Sequence, residues 1–281
     1  MMALLLSAAL AFSPQDAAVA YRTAKSLVEE CTPRDAGTIR GSIAANKILD
    51  LASETGADVY RDRFIAEGPS GKRQYTNLYA EFERLPSAKW VVLVSHFDTK
   101  AGVPCPGAND GASTSGLLTA FAGVLHDSRD LAGNVMLVWT DAEECVNSYS
   151  KNDGFQGSRR AVEHLKEKGY KVQAVLCLDM LGDKDLKITI PANGTPTLAK
   201  IACHAARRIG EPDLVWTCEE IVKDDHVPFL EAGFPAIDLI DFSYGPDNVW
   251  WHSAKDTMEN ISESSLLKSG RLVAEMLNIL L

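Results

Sequence analysis

The chain has 281 residues, 28 Lys plus Arg against 38 Asp plus Glu, and a net charge of −10. With 46% hydrophobic and 23% charged residues, disordered and collagen-like chains are excluded. The length holds one large α/β domain with an ample core. The acidic balance, without a strongly basic run, argues against a nucleic-acid partner.

The first twelve residues (MMALLLSAALAF) are apolar, and Ala9-Leu10-Ala11 has the A-x-A form of a signal-peptidase site. No positive n-region precedes them. Residues 1–11 are therefore expected to be a leader for export to a periplasm or the medium, and 12–281 a single catalytic domain. The alternative is that the segment opens the first helix. No apolar run is long enough to span a membrane.

Apolar positions recur at helical spacing through Asp16–Cys31 and Asp35–Ala57. Asp58–Ile65 alternates as an edge strand does, and so does Asn77–Phe82. Trp90–Val94 (WVVLV), Asn134–Thr140 (NVMLVWT), Ala174–Leu178 (AVLCL) and Ala236–Ile240 (AIDLI) are continuous apolar runs, the mark of strands buried on both faces. Leu186–Pro191 and Leu214–Thr217 are expected as short strands. Helices are expected over Ala112–Val124, Gly157–Lys168 with Ser158 as N-cap, Thr197–Ile209, from just after Asp225 to Glu231, and over Ser262–Leu281. Strands and helices alternate without linker or repeat. The expected fold is one α/β domain, with a central mixed, mostly parallel sheet covered by helices on both faces. Sites in such sheets lie beyond the carboxyl ends of the strands.

Polar residues collect there. His96 and Asp98 follow the first buried strand, Asp110 the loop after it, Glu143 and Glu144 the second strand, and Asp179 the third. Asp224 and Asp225 precede a short helix, and His252 lies in the last long loop. Asp, Glu and His without thiolates are the ligand chemistry of a catalytic zinc site. In the His-x-Asp pair, Asp98 can orient the imidazole. Of two adjacent glutamates, one can hold metal while the other acts as general base. Each residue alone also has a bland reading as a strand-end acid or core histidine. It is five of them in this arrangement that point to a site.

The chain resembles the zinc aminopeptidase family that also includes the glutaminyl cyclases. The resemblance rests on Ser95–Asp98 (SHFD), Gly107–Gly111 (GANDG), Asp141–Glu144 (DAEE), Gly157–Arg159 (GSR), Leu178–Gly182 (LDMLG), Asp224–Phe229 (DDHVPF), Gly233–Pro235 (GFP) and Trp251–Thr257 (WHSAKDT). It implies metal ligands at His96, Asp110, Glu144, Asp179 and His252, with Asp110 bridging when two metals bind. It also implies Glu143 as general acid/base, Asp98 as partner of His96, and a cis bond at Asp110–Gly111.

Two chemistries share this ligand set. An aminopeptidase would hold two Zn2+ ions and an activated water. A cyclase would hold one Zn2+ on Asp110, Glu144 and His252, leaving His96 and Asp179 as ligands only for a second ion. In that reading the N-terminal amine of a substrate attacks its own Gln side chain, and Glu143 shuttles the proton. Three features lean to the cyclase branch: the twelve-residue link Cys145–Gln156, Asp224 (an acid network with Asp179) in place of a serine, and Trp251 before His252. Departures are Tyr149 for a tryptophan, Asp238 for a histidine, and a longer loop over Asp241–Val249. Trp251 and Tyr149 are the expected substrate-binding residues, and peptide or protein N-termini the expected substrates. A metal-free binding module would have lost ligands, and a serine hydrolase would need a G-x-S-x-G elbow that is absent.

Six cysteines occur without C-x-x-C spacing, and a Cys105–Cys145 disulfide is left open. The N-x-S/T triplets at Asn193 and Asn260 matter only in a glycosylating host. His126, His164 and His204 are expected to be surface or packing residues on helices, and His226, at a helix start, to be structural and not a ligand. Trp139 is expected in the core, and Trp250 facing away from the pocket.

Overall fold

The computed structural model describes residues 9–281. Residues 1–8, most of the expected leader, lie outside them. An eight-stranded sheet runs through the molecule. Its strands are β1 (Val59–Gly68), β2 (Gly71–Phe82), β3 (Trp90–His96), β4 (Asn134–Thr140), β5 (Val172–Asp179), β6 (Ile188–Ile190), β7 (Val215–Thr217) and β8 (Ala236–Ile240). In space they run β1-β2-β4-β3-β5-β8-β6-β7. The centre, β4-β3-β5-β8, is parallel, whereas β1 and β2 on one side and β6 on the other join antiparallel.

Alternation along each central strand explains the layers. Val91, Leu93, Val135, Leu137, Leu176 and Leu239 face one core, while Val92, Val94, Met136, Val138, Val175 and Cys177 face a second. The first core is covered by α1 (Pro14–Cys31), α2 (Ile39–Glu54), α3 (Thr114–Asp127), α5 (Pro196–Arg208) and α7 (Glu263–Leu280); the second by α4 (Gln156–Glu167) and α6 (His226–Glu231). The expected mixed, helix-covered sheet is therefore present. Trp139 is fully buried in the first core.

Local chemistry sets the helix starts. Ser13 and Asp16 form a reciprocal capping box at α1, with Pro14 in the first turn, and Thr38 caps α2. Ahead of α1, Leu10 and Phe12 are buried. The Leu10 N–H donates to Asn278 Oδ1 (2.7 Å), and Phe12 packs on Phe121 with ring centres 5.0 Å apart.

Three expectations are corrected. Polar Lys72–Thr76 hid half of β2, which pairs with β1 as one long hairpin across Pro69-Ser70. Helix α4 starts at Gln156, and Ser158 is not its cap. The N–H groups of Phe155, Gln156 and Gly157 donate instead to the carbonyls of Glu143, Ala142 and Asp141. Backbone from the site segment thus satisfies the free helix amides. The Asp110–Gly111 bond is trans, Thr32–Pro33 being the cis bond among the described residues. Gly111 makes the turn by taking φ +87°, where a Cβ would sit 3.0 Å from His96 Cε1.

Candidate functional site

The site grows from the carboxyl ends of β3, β4 and β5. His96 closes β3 and Asp179 closes β5, and their strands are neighbours. Between β3 and α3 the chain passes through a kinked turn, Ala108–Ser113, that carries Asp110 inward. This loop is held by two residues that sequence reasoning missed. Arg34, fully buried, donates to the carbonyls of Phe97 (2.5 Å), Pro106 (2.7 Å), Gly107 (2.5 Å) and Asp110 (3.2 Å). Asp256 accepts the N–H groups of Asn109 (2.7 Å) and Asp110 (3.2 Å), and the Tyr244 hydroxyl (2.8 Å). Asp256 lay within the recognised WHSAKDT stretch; nothing in the sequence around Arg34 marked it.

Asp110 faces two ways. His96 Nε2 lies 3.2 Å from Asp110 Oδ1 and 3.2 Å from Asp179 Oδ1. His252 Nε2 lies 3.3 Å from Asp110 Oδ2 and 2.7 Å from Glu144 Oε1. The five residues thus form two groups of three that share Asp110, the ligand atoms in each lying within 4.8 Å of one another. His252 reaches in from a left-handed backbone position (φ +51°), with Trp251 stacked on its ring at 3.9 Å.

Beyond β4, Ala142 at φ +59° turns the chain so that Glu144 faces His252 while Glu143 faces Tyr149. Asp98 was expected to orient His96. It sits 3.6 Å from His96 Nδ1, at ion-pair distance and too long for a hydrogen bond, while its oxygens accept the N–H groups of Glu143 (3.1 Å) and Glu144 (3.2 Å). It faces His96 and also fastens the glutamate pair. Asn77 and Thr76 on β2 pin Asp141 from the other side.

The Cys145–Gln156 link folds over this pair. Asp153 accepts the N–H groups of Val146, Asn147 and Ser148. Gly154 at φ +81° lets the Tyr149 ring lie where a Cβ would intrude at 2.5 Å. The Tyr149 hydroxyl donates to Glu143 Oε1 (3.0 Å), and its ring stacks on Phe155. A cavity of 260 Å3 results, lined by Glu144, Tyr149, Asp179, Asp224, Trp251 and His252. A larger depression of 820 Å3 near α1, α2 and α3 holds none of these groups. Trp250 packs edge-on against Tyr244, away from this cavity's lining. All six cysteines are free thiols: Cys105 lies against Asp256, and Cys145 accepts from Lys100.

The electrostatics follow from crowded, buried acids. Burial, then Asp224 and Glu144, push the Glu143 carboxyl well above the usual range. Burial, then Asp110, raise Glu144 to about 7, against the pull of His252. Burial opposes charge on His252, but Asp110 and Glu144 outweigh it and lift the imidazole to about 9. Behind Asp179 lie Asp224 and Asp238, both buried; burial, then Asp179 and Asp225, push Asp224 well above normal, and burial, then Asp224 and Asp179, do the same to Asp238. His226 stands beside them. Asn193 fixes its state: Oδ1 accepts from the Val222 N–H, so Nδ2 donates to His226 Nε2 at 2.8 Å. Nε2 is therefore the acceptor, and the neutral ring carries its proton on Nδ1.

This donor set of carboxylates and imidazoles, without sulfur, fits a divalent cation. Asp110 Oδ2 and Glu144 Oε2 are buried without a hydrogen-bond partner, and the negative charge far exceeds the cations nearby.

Comparison with known proteins agrees with the geometry. The family model described as Peptidase family M28 matches residues 77–277. A glutaminyl-peptide cyclotransferase of Drosophila melanogaster is 25% identical over 254 residues, covering 80% of this chain and 70% of that protein. An aminopeptidase of Bacillus subtilis is 31% identical over 195 residues, covering 65% and 39%. Among solved structures, an Acidobacteriales bacterium glutaminyl cyclase superposes with a TM-score of 0.89 at 30% identity, covering 100% of this chain and 98% of that one. The chain belongs to Peptidase family M28.

Proposed function

We propose that this protein is a zinc-dependent glutaminyl-peptide cyclotransferase, acting on peptide or protein N-termini that begin with Gln. The observation that carries this reading is the carboxyl cluster behind Asp179. Asp179, Asp224 and Asp238 are buried together; beyond burial, Asp179 and Asp225 raise the Asp224 carboxyl, and Asp224, Asp179 and Asp225 raise that of Asp238. Such groups share protons instead of all ionising. Burial, and then Asp110 against the pull of His96, raise the Asp179 carboxyl as well, which makes it a poorer ligand for a second ion. Asp110, Glu144 and His252 remain as the group that would hold a single Zn2+. When bound, the ion supplies Lewis-acid polarisation of the substrate's side-chain carbonyl.

The remaining work falls to this chain's side chains. The N-terminal residue enters the 260 Å3 cavity between Trp251 and Tyr149. The α-amine nitrogen bonds to the side-chain amide carbon, the carbon–nitrogen bond of that amide breaks, and ammonia leaves. One proton must travel from the attacking nitrogen to the departing one. Glu143 accepts it and then releases it, its raised pKa lying closer to the working pH than that of an ordinary carboxyl. The Tyr149 hydroxyl holds Glu143 Oε1, and Asp98 holds the Glu143 and Glu144 backbone, so the shuttle stays in place. No water is consumed.

The second reading is a two-metal aminopeptidase. It is favoured by the two oxygens of Asp110 facing both groups of three. Mass spectrometry on zinc-loaded protein separates the two. Loss of ammonia from a Gln-initiated peptide with a Leu-initiated peptide left intact supports the cyclase. Release of the N-terminal Leu overturns it. Export, suggested by the apolar start of the sequence, is part of this proposal and is tested by fractionating the host cell.

A further inference from the structure

A second groove adjoins the catalytic cavity. It has a volume of 350 Å3 and shares Tyr149 and Lys223 with the first. Three cations line it, Lys151, Arg159 and Lys223, together with apolar Phe155 and Pro228 and the single acid Glu231. None of the three cations is in an ion pair among the described residues. In a chain of net charge −10, this groove reverses the local sign next to a cavity walled by carboxylates.

One of the cations is fixed in advance. Arg159 donates to the carbonyls of Gly154 (2.6 Å) and Ser150 (2.9 Å), and its guanidinium lies 5.8 Å from the Phe155 ring centre. These two bonds leave other guanidinium N–H donors free. A cation held this way loses little freedom when a carboxylate meets it. Lys151 and Lys223 are exposed on the lining of the same groove.

We propose that this groove is a specificity subsite, taking the residues that follow a substrate's N-terminal residue and favouring Glu or Asp there. The inference rests on the catalytic cavity seating that N-terminal residue, which the cyclase and aminopeptidase readings share. It assigns a substrate class: peptides acidic just behind the processed residue.

The test uses three peptides, Gln-Ala-Glu-Glu, Gln-Ala-Ala-Ala and Gln-Ala-Lys-Lys, with the full chain loaded with zinc. The expected order of kcat/KM is acidic, neutral, basic, with about three- to tenfold between the extremes at low salt and a shrinking ratio as salt rises. The Lys151→Glu/Lys223→Glu double variant should flatten or reverse the order. Binding of the same peptides to Glu143→Gln protein is measured in parallel and needs no turnover. Acidic peptides binding more tightly while no Gln peptide is cyclised would sink the proposed reaction but keep the subsite. Equal affinity for all three peptides, or a preference untouched by the charge reversal, would overturn the subsite.

Discussion

Replacing Glu143 by Gln isolates the proton shuttle from the rest of the site. The two side chains have the same shape, and the amide oxygen can still accept from the Tyr149 hydroxyl that now sits 3.0 Å from Glu143 Oε1. Asp98 holds residues 143 and 144 through backbone N–H groups, which the change leaves alone. Glu144, Asp110 and His252 keep their places, so zinc content should be unchanged. What is lost is a group that can take a proton from an amine and return it. A positioned acid/base is worth about 10²–10⁴ in rate, which is about 3–5 kcal/mol of barrier. Folding should not suffer. Glu143 lies among the repelling carboxylates Asp224 and Glu144, so removing its charge relieves that repulsion. The assay is ammonia release from a Gln-initiated peptide, beside metal analysis and thermal unfolding. A kcat within about threefold of the parent, in protein of normal zinc content, would refute the assignment of the shuttle.

Three further outcomes are expected. Asp224→Ser should lower cyclisation by tenfold or more, on the order of 1.4 kcal/mol, while zinc bound at Asp110, Glu144 and His252 stays near one per chain; an unchanged rate would remove the carboxyl cluster from the mechanism. Phe12→Ala should cost about 3–5 kcal/mol in urea unfolding, because the ring is buried against Phe121 and fills the space beside Gly270, where a Cβ would meet Phe12 Cδ1 at 2.2 Å; a loss under about 1 kcal/mol would show that the segment before α1 is not part of the core. Burial lowers the pKa of His226 from 6.5 to about 4. Between those values the unfolded chain binds a proton that the folded chain refuses, so stability falls as pH drops through that window, by about 3 kcal/mol. Unfolding free energies of His226→Gln should show a shallower slope over the same range, and an identical slope would contradict the assignment.

Much of this protein could be read from its residues in order. Continuous apolar runs marked the four central strands, because a strand covered on both faces needs no polar alternation. Asp, Glu and His at the ends of those runs marked the site, because parallel strands present their carboxyl ends to one edge. The half of β2 between Gly71 and Thr76 was hidden, since Lys72, Arg73 and Gln74 are polar and exposed where they pair with the edge strand.

Other features exist only once the chain has folded. Arg34 holds the Asp110 loop from 76 positions away, through carbonyls that no side-chain pattern encodes. The start of α4 is capped by the backbone of Asp141–Glu143, so the residue types there gave a false cap at Ser158. Asp98 follows His96 by two positions and faces it, yet it also fastens the glutamate pair, because its oxygens meet their N–H groups at shorter distances than the imidazole. The cationic groove joins Lys151, Arg159 and Lys223 from two distant stretches. Sequence determined which side chains can do chemistry and which strands carry them. The tertiary structure decided which backbone groups and charges they meet, since those partners are set by distances across the fold and not by spacing along the chain.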